Sequence, residues 1–154
     1  MKQFHFKLQP LLDKERMNEN ECAGRLKNIQ NAFLNEKNKS ENLWKRMMIC
    51  QGELKSKKGR SVTQGELITY ENYFLKLNCE IKASRLRVQK MVHEMKVIQD
   101  ELWKIVKKRK ALEKLRDRWE EEHKNVLEFL SNKEMDDIAM TKFANNLVMK
   151  KWLR

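Results

Sequence analysis

A chain of 154 residues is long enough for one globular domain, but 36% charged residues, 8% aromatic residues, four glycines and one proline do not describe a globular core. This composition is typical of long helices. The net charge of +12 favours an anionic partner, which leaves nucleic acid, an acidic protein and anionic lipid open. The longest wholly apolar run, residues 47–50, is far shorter than the ~20 residues that span a bilayer. We therefore expect no transmembrane helix.

The first predicted helix covers about residues 10–58. Pro10 suits a first helical position, because its missing amide hydrogen has no helical partner there. From Leu12, steps of alternately three and four residues reach apolar side chains at nine of thirteen positions, which is the seam of a coiled coil. Lysines followed by glycine predict the end of the helix near Gly59, with Gly52 as the competing stop.

The second predicted helix follows a turn of about residues 59–63. Thr63-x-x-Glu66 matches a capping box, in which a hydroxyl and a carboxylate satisfy free backbone donors. Helix two should therefore cover about residues 64–145, with a frayed tail at 146–154.

The seam of helix two is stronger than that of helix one, since from Tyr70 to Leu130 it is apolar at fourteen of eighteen positions. A short connection makes consecutive helices antiparallel neighbours. The predicted fold is therefore all-α: a single domain over residues 1–154, built as a long antiparallel two-helix coiled-coil hairpin with a longer second helix.

The two arms are predicted to be unequal in reach. Counted outward from the turn, Pro10 lies opposite Leu112, so helix two beyond that point has no partner within the hairpin. Leaving a large apolar side chain there exposed forgoes about 1.5–3 kcal/mol relative to burying it. The preferred interpretation is that another protein covers this overhang. Bending of helix one, folding back of the amino-terminal residues and self-association are the alternatives.

Motifs for catalysis or metal binding are scarce. Glu120-x-x-His123 has the spacing of di-iron bundles, but the second such motif is missing, and a solvated seam histidine is the preferred interpretation. Cys22, Cys50 and Cys79 lack zinc-ligand spacing and are interpreted as reduced thiols of a cytoplasmic protein. No phosphate-binding loop or nucleophile motif is present. We expect no enzyme, metal, cofactor or small-molecule substrate.

Residues 104–118, here called the basic collar, carry eight Lys and Arg residues against Glu113 and Asp117. A phosphate backbone, solvent and an acidic protein surface are the three interpretations, and we prefer the last. Trp103 and Trp119 do not form a regular stacking platform, which weakens the case for single-stranded nucleic acid.

Two further stretches are candidate contact surfaces. Residues 140–154, here called the basic apolar tail, suit anionic lipid with Trp152 at the interface, although a frayed or partner-bound end is preferred. Near the turn, Trp44, Met48 and Tyr73 fall off the seams, and adaptable Met with aromatic residues suits a second docking surface.

Several of these motifs resemble the flagellar export protein FliJ family over nearly the whole chain. They are Phe4-x-Phe6-x-Leu8 followed by Leu11-Leu12, a glycine-containing turn near the first third, Lys114-Leu115 through Glu120-Glu121-Glu122, and Lys133-Glu134-Met135-Asp136-Asp137-Ile138-Ala139. The chain has Asp136-Asp137 where we expect Asp-Glu in the family.

The resemblance implies a stalk-like antiparallel coiled coil in the cytoplasm, peripherally associated with the export apparatus at the inner face of the cell membrane. It implies binding to the hexameric export ATPase FliI, whose assembly and activity it promotes, to the export gate protein FlhA and to export chaperones. The positions that match the ATPase-ring surface are Leu11, Leu12, Leu115, Arg116, Trp119, Val126, Leu130, Asp136, Asp137 and Ile138. Those that match the gate surface are Leu43, Tyr73 and Leu77. The alternatives are a basic nucleic-acid-binding coiled coil and a generic homodimeric scaffold.

Overall fold

The computed structural model describes residues 3–57 and 59–154, which form two α-helices and contain no strand. Helix α1 is Gln9–Lys57 and helix α2 is Gln64–Trp152. The helices pack against each other, and this confirms the predicted all-α hairpin with a longer second helix. Lys58, the predicted last residue of helix one, and Met1 and Lys2 lie outside the described residues.

Helix α1 begins with a turn rather than directly at the proline. The Gln9 amide donates to the Phe6 carbonyl at 3.0 Å, and the Leu12 amide donates to the Leu8 carbonyl at 3.0 Å. Pro10 is therefore the second helical residue, one position later than expected. Its lack of an amide hydrogen has no cost there, because the first four amides of a helix have no helical acceptor.

The connection between the helices follows the capping signals in the sequence. Helix α1 continues through Gly52, and the Arg60 amide donates to the Lys57 carbonyl at 2.9 Å where it ends. Helix α2 begins at Gln64, and the Glu66 amide donates to the Thr63 hydroxyl at 3.4 Å, which is the N-cap bond of the predicted capping box.

Helix α2 ends later than expected. It runs through residues 146–152, for which the sequence predicted fraying, and the Leu153 amide donates to the Met149 carbonyl at 3.2 Å. Lys150 and Lys151 lie in its last turn. Their charges stabilise the negative end of the helix dipole, a local effect that favours helix up to this point.

Unit 2 of the fold comprises Met17–Val106 and contains the parts of α1 and α2 next to the turn. The Cys22 thiol donates to the Ile98 carbonyl at 3.6 Å, whereas Glu36, later in α1, binds Ser84, earlier in α2. This order defines antiparallel packing. The buried residues of the unit lie on the two predicted seams: Cys22, Glu36, Cys50, Leu77, Ile81 and Ser84.

Unit 1 comprises Met1–Arg16 and Lys107–Arg154. Its described non-helical residues, 3–8, lie along α2 and are here called the amino-terminal strap. The strap extends the cover of α2 from Leu112, the limit predicted by counting helical residues, to His123. An extended chain advances about 3.3 Å per residue and a helix only about 1.5 Å, so a short strap covers a long stretch of helix. The folding-back alternative is thus correct for this stretch.

Candidate protein-binding surfaces

The amino-terminal strap attaches to α2 through aromatic side chains. The Phe6 ring meets the Trp119 ring edge to face, with centroids 5.4 Å apart, and Phe4 lies 5.7 Å from the His123 ring. Phe6 is only 4% exposed, and Leu12, one turn into α1, is fully buried. Aromatic pairs of this geometry contribute about 0.5–1.5 kcal/mol beyond the area that they bury. The strap is therefore a packed part of unit 1.

The sequence analysis gave folding back of the amino-terminal residues as an alternative, but it did not identify Phe4 and Phe6 as the side chains that cover α2. The signal was available, because apolar residues at every second position are typical of an extended chain with one buried side. What the alternation does not reveal is which surface the segment covers.

The ten residues matched to the ATPase-ring surface all lie in unit 1, in three different environments. Leu12 is a core residue, available to a partner only if the packing opens, whereas the adjacent Leu11 is 44% exposed. The half-buried members, beneath or beside the strap, are Leu115, Arg116 and Trp119. The exposed members beyond it are Val126, Leu130, Asp136, Asp137 and Ile138.

Beyond the strap, α2 exposes its apolar residues one after another. From residue 128 to residue 154 every side chain is exposed. The large apolar side chains in this stretch are Phe129, Leu130, Met135, Ile138, Met140, Phe143, Leu147, Val148, Met149, Trp152 and Leu153. A run of this size on one helix marks an interaction surface more often than a solvated face.

The part of the basic collar that belongs to unit 1 is divided between internal ion pairs and exposed cations. Arg109 and Arg16 lie 2.9 Å and 3.2 Å from the Glu113 carboxylate. Burial raises the pKa of Glu113, but the hydrogen bonds from these arginines outweigh it, and the pKa lies below its ordinary value. The collar residues with exposed side chains include Lys108, Lys110, Lys114 and Arg118. These cations are positioned to attract an anionic partner.

The residues matched to the gate surface lie in unit 2 and differ in exposure. Tyr73 is 40% exposed, Leu43 is half-buried, and Leu77 is buried in the seam between the helices. Tyr73 lines an open cavity of about 380 Å³ close to the turn, together with Arg46, Ile49, Cys50, Glu53, Thr69 and Tyr70. Burial raises the pKa of the Cys50 thiol, which keeps it protonated beside this cavity. Of the three residues matched to the gate surface, Tyr73 alone lines this concave, mainly apolar cavity.

A polar layer interrupts the seam of unit 2. The Ser84 hydroxyl donates to the Glu36 carboxylate at 2.9 Å, and the Arg87 guanidinium binds the same oxygen at 2.8 Å. The hydrogen bond from Arg87 lowers the pKa of Glu36 against the opposing effect of burial, and Ser84 adds to the lowering. Every buried polar side-chain atom among the described residues has a partner. The layer is therefore satisfied as it stands.

We expect Arg87→Ala to lower the free energy of unfolding by about 1–3 kcal/mol at neutral pH, because Glu36 keeps only Ser84 as a donor. The folded pKa of Glu36 lies below its unfolded value, so this stabilisation is present above about pH 4.3 and is lost as the pH falls through the folded pKa. Urea unfolding at neutral and acidic pH measures the change. Lys90→Ala, an exposed cation on the same helix, should stay within about 0.5 kcal/mol of wild type. If Arg87→Ala and wild type still differ in free energy of unfolding at acidic pH, the stabilisation does not come from the ionised Glu36 carboxylate.

Glu120 and His123, the pair with the spacing of a di-iron site, both make contacts with other side chains. Glu120 forms an ion pair with Lys124 at 3.1 Å, and His123 packs against Phe4. Among residues 3–57 and 59–154, no three His, Cys, Asp or Glu side chains are grouped to hold a metal ion. In the same part of the chain, no helix combines the length and the apolar character needed to cross a bilayer.

Fold and surfaces together define an α-helical hairpin of the coiled-coil class that exposes apolar and basic surfaces along its second helix. Comparison with protein families matches the model of the flagellar FliJ protein to residues 4–147, nearly the whole chain. The chain belongs to the flagellar FliJ family and is a flagellar export-related protein. Neither the curated proteins nor the solved structures contain a significant match.

Proposed function

We propose that this chain is the stalk of the flagellar type III export apparatus. It binds the ring of the export ATPase FliI through unit 1, promotes assembly and activity of the ring, and links it to the export gate protein FlhA and to export chaperones. It does this in the cytoplasm, at the inner face of the cell membrane, without catalysing a reaction itself. The observation that carries the proposal is the uncovered apolar surface of α2 from Val126 to Ile138, in a chain of the FliJ family.

A ring of subunits supplies what this surface lacks. Val126, Leu130 and Ile138 are 56%, 48% and 53% exposed, so a surrounding wall has apolar area left to bury on each of them. The exposed cations of the basic collar add attraction to acidic groups at the mouth of the ring. Burial at the centre of an interface provides affinity, while charges at its rim steer association and set orientation.

The experiment is a titration of purified export ATPase with the full chain, followed by phosphate release and by sedimentation. We expect saturable stimulation and a shift of the ATPase towards the hexamer. Absence of both would contradict the proposal. Tight, steeply salt-dependent binding to RNA or DNA without stimulation would favour the nucleic-acid alternative. A symmetric dimer with concentration-dependent helicity would favour the scaffold alternative.

For the link to the gate, we expect Tyr73→Ala to weaken capture by the cytoplasmic part of FlhA about tenfold while leaving ATPase stimulation unchanged. The aromatic ring of Tyr73 contributes contact area to a concave site. Truncating such an anchor typically weakens binding by more than about 1 kcal/mol. Binding of the chain to the immobilised cytoplasmic part of FlhA measures the capture.

Leu75→Ala is the matched control for Tyr73→Ala, since Leu75 is 64% exposed on the same helix and does not line the cavity. It should leave gate capture unchanged. Equal loss of gate capture and ATPase stimulation in Tyr73→Ala would show a damaged fold and remove the support for a separate gate surface.

A further inference from the structure

Charge is segregated along the uncovered part of α2. Residues 124–139 contain four acidic residues and two lysines, whereas residues 140–154, the basic apolar tail, contain four cations and no acidic residue. The four cations are Lys142, Lys150, Lys151 and Arg154. This tail is therefore an electrostatically distinct segment of the helix, and its charge favours an anionic partner.

The apolar residues of the tail also form a surface of their own. Met140, Phe143, Ala144, Leu147 and Val148 follow three-four spacing and so share one side of the helix. The charged run at residues 133–137 separates them from the apolar residues of the earlier stretch. The apolar residues of the tail therefore form a patch separate from the earlier stretch.

Cations and apolar groups meet at the end of the tail. Leu147, Val148, Lys150, Lys151, Leu153 and Arg154 lie next to one another on the open surface at the end of α2. Trp152 and Leu153 are each 85% exposed. The family match ends at residue 147, so the last seven residues, with three of the four cations, lie outside it.

We propose that the basic apolar tail binds the surface of an anionic lipid bilayer. A helix with Lys and Arg beside an apolar side lies in the interface, its cations reaching the phosphates and its apolar residues the acyl boundary. Lysine stems extend along apolar surface while the ammonium groups stay in water, so Lys151 beside Leu147 and Val148 is compatible with insertion. Trp152 has the amphipathic ring favoured at that depth. An acidic protein surface also matches the charge, and it is the competing outcome of the test below.

The test is flotation of the full chain with vesicles of phosphatidylcholine alone and with vesicles that also contain phosphatidylglycerol. We expect binding only to the anionic vesicles. The double variant Lys150→Ala/Lys151→Ala should lower the partition coefficient about 30-fold, since each cation near an anionic surface contributes a roughly fivefold effect. Leu147→Ser should lower it about tenfold through loss of apolar burial.

The matched control is Lys108→Ala/Lys110→Ala, which removes the same charge from the basic collar on the same helix. It should lower the partition coefficient by less than about threefold, because the proposal places the membrane contact in residues 140–154 and not in the collar. Equal losses in the two double variants, or no binding to anionic vesicles, would overturn the proposal. Binding to polyglutamate as tight as to vesicles, without dependence on Leu147, would assign the tail to an acidic protein instead. None of these outcomes depends on the ATPase.

Discussion

Leu130→Asp is expected to reduce stimulation of the export ATPase to its basal rate while leaving the helical content of the chain unchanged. Leu130 is 48% exposed and lies beyond the strap, so the substitution removes little internal packing. In the bound state it places a carboxylate within an apolar contact, where an unpaired charge is costly. Loss of an interface anchor typically weakens binding by about 2–4 kcal/mol. Phosphate release at increasing chain concentration measures the effect, and circular dichroism measures helicity.

The control for this prediction is Leu86→Asp, the same change at a residue that is 60% exposed in unit 2 and outside both predicted contact surfaces. It should stimulate the ATPase like wild type. Full stimulation by Leu130→Asp would show that this part of α2 does not contact the ATPase ring. Trp119→Asp is a poorer test, because Trp119 packs against Phe6 and its loss also damages unit 1.

The second large effect is expected for Leu12→Ala, which should destabilise unit 1 by about 2–5 kcal/mol. Leu12 is fully buried, and truncating a buried leucine removes apolar burial and leaves a cavity. Hydrogen exchange of the amides at residues 13–16 reports the local free energy of opening. ATPase stimulation should fall with stability, because the strap and the first turn of α1 detach together.

Leu11→Ala provides the comparison for Leu12→Ala, since it is the same change one residue earlier at a side chain that is 44% exposed. It should change the stability of unit 1 by less than about 1 kcal/mol. If Leu11 contacts the ring, this variant lowers ATPase stimulation without accelerating exchange. Similar destabilisation by both variants would contradict the packing described for the start of α1.

Helical periodicity and capping chemistry were sufficient to predict the hairpin. The seam through Leu77 and Ile81 and the cap at Thr63 depend on interactions between residues close in sequence or on one helical face, and the sequence displays these directly. The reach of the strap was not predictable in the same way. Phe6 and Trp119 meet through a non-helical segment, so no count of helical turns places one opposite the other.

For the predicted contact residues too, the sequence pattern identified positions but not whether their side chains are exposed or buried. Motif similarity selected Leu11 and Leu12 together, yet one is exposed and the other is core. A motif reports which residues recur in a family and does not separate those that contact a partner from those that hold the contacting residues in place. Similarly, Leu77 and Tyr73 are one helical turn apart, and only Tyr73 reaches the cavity near the turn.

The polar layer of Glu36, Ser84 and Arg87 restricts sliding of one helix along the other within unit 2. A slip by one heptad would place the Glu36 carboxylate against Leu77 or Met91, which offer no donor, and stranding a buried charge costs about 3–5 kcal/mol. The neighbouring apolar layers alone permit such a slip at lower cost, because similar residues recur every seven positions. The polar layer thus resists a mechanical load along the helix axes, which helps to keep the residues around the turn cavity in register.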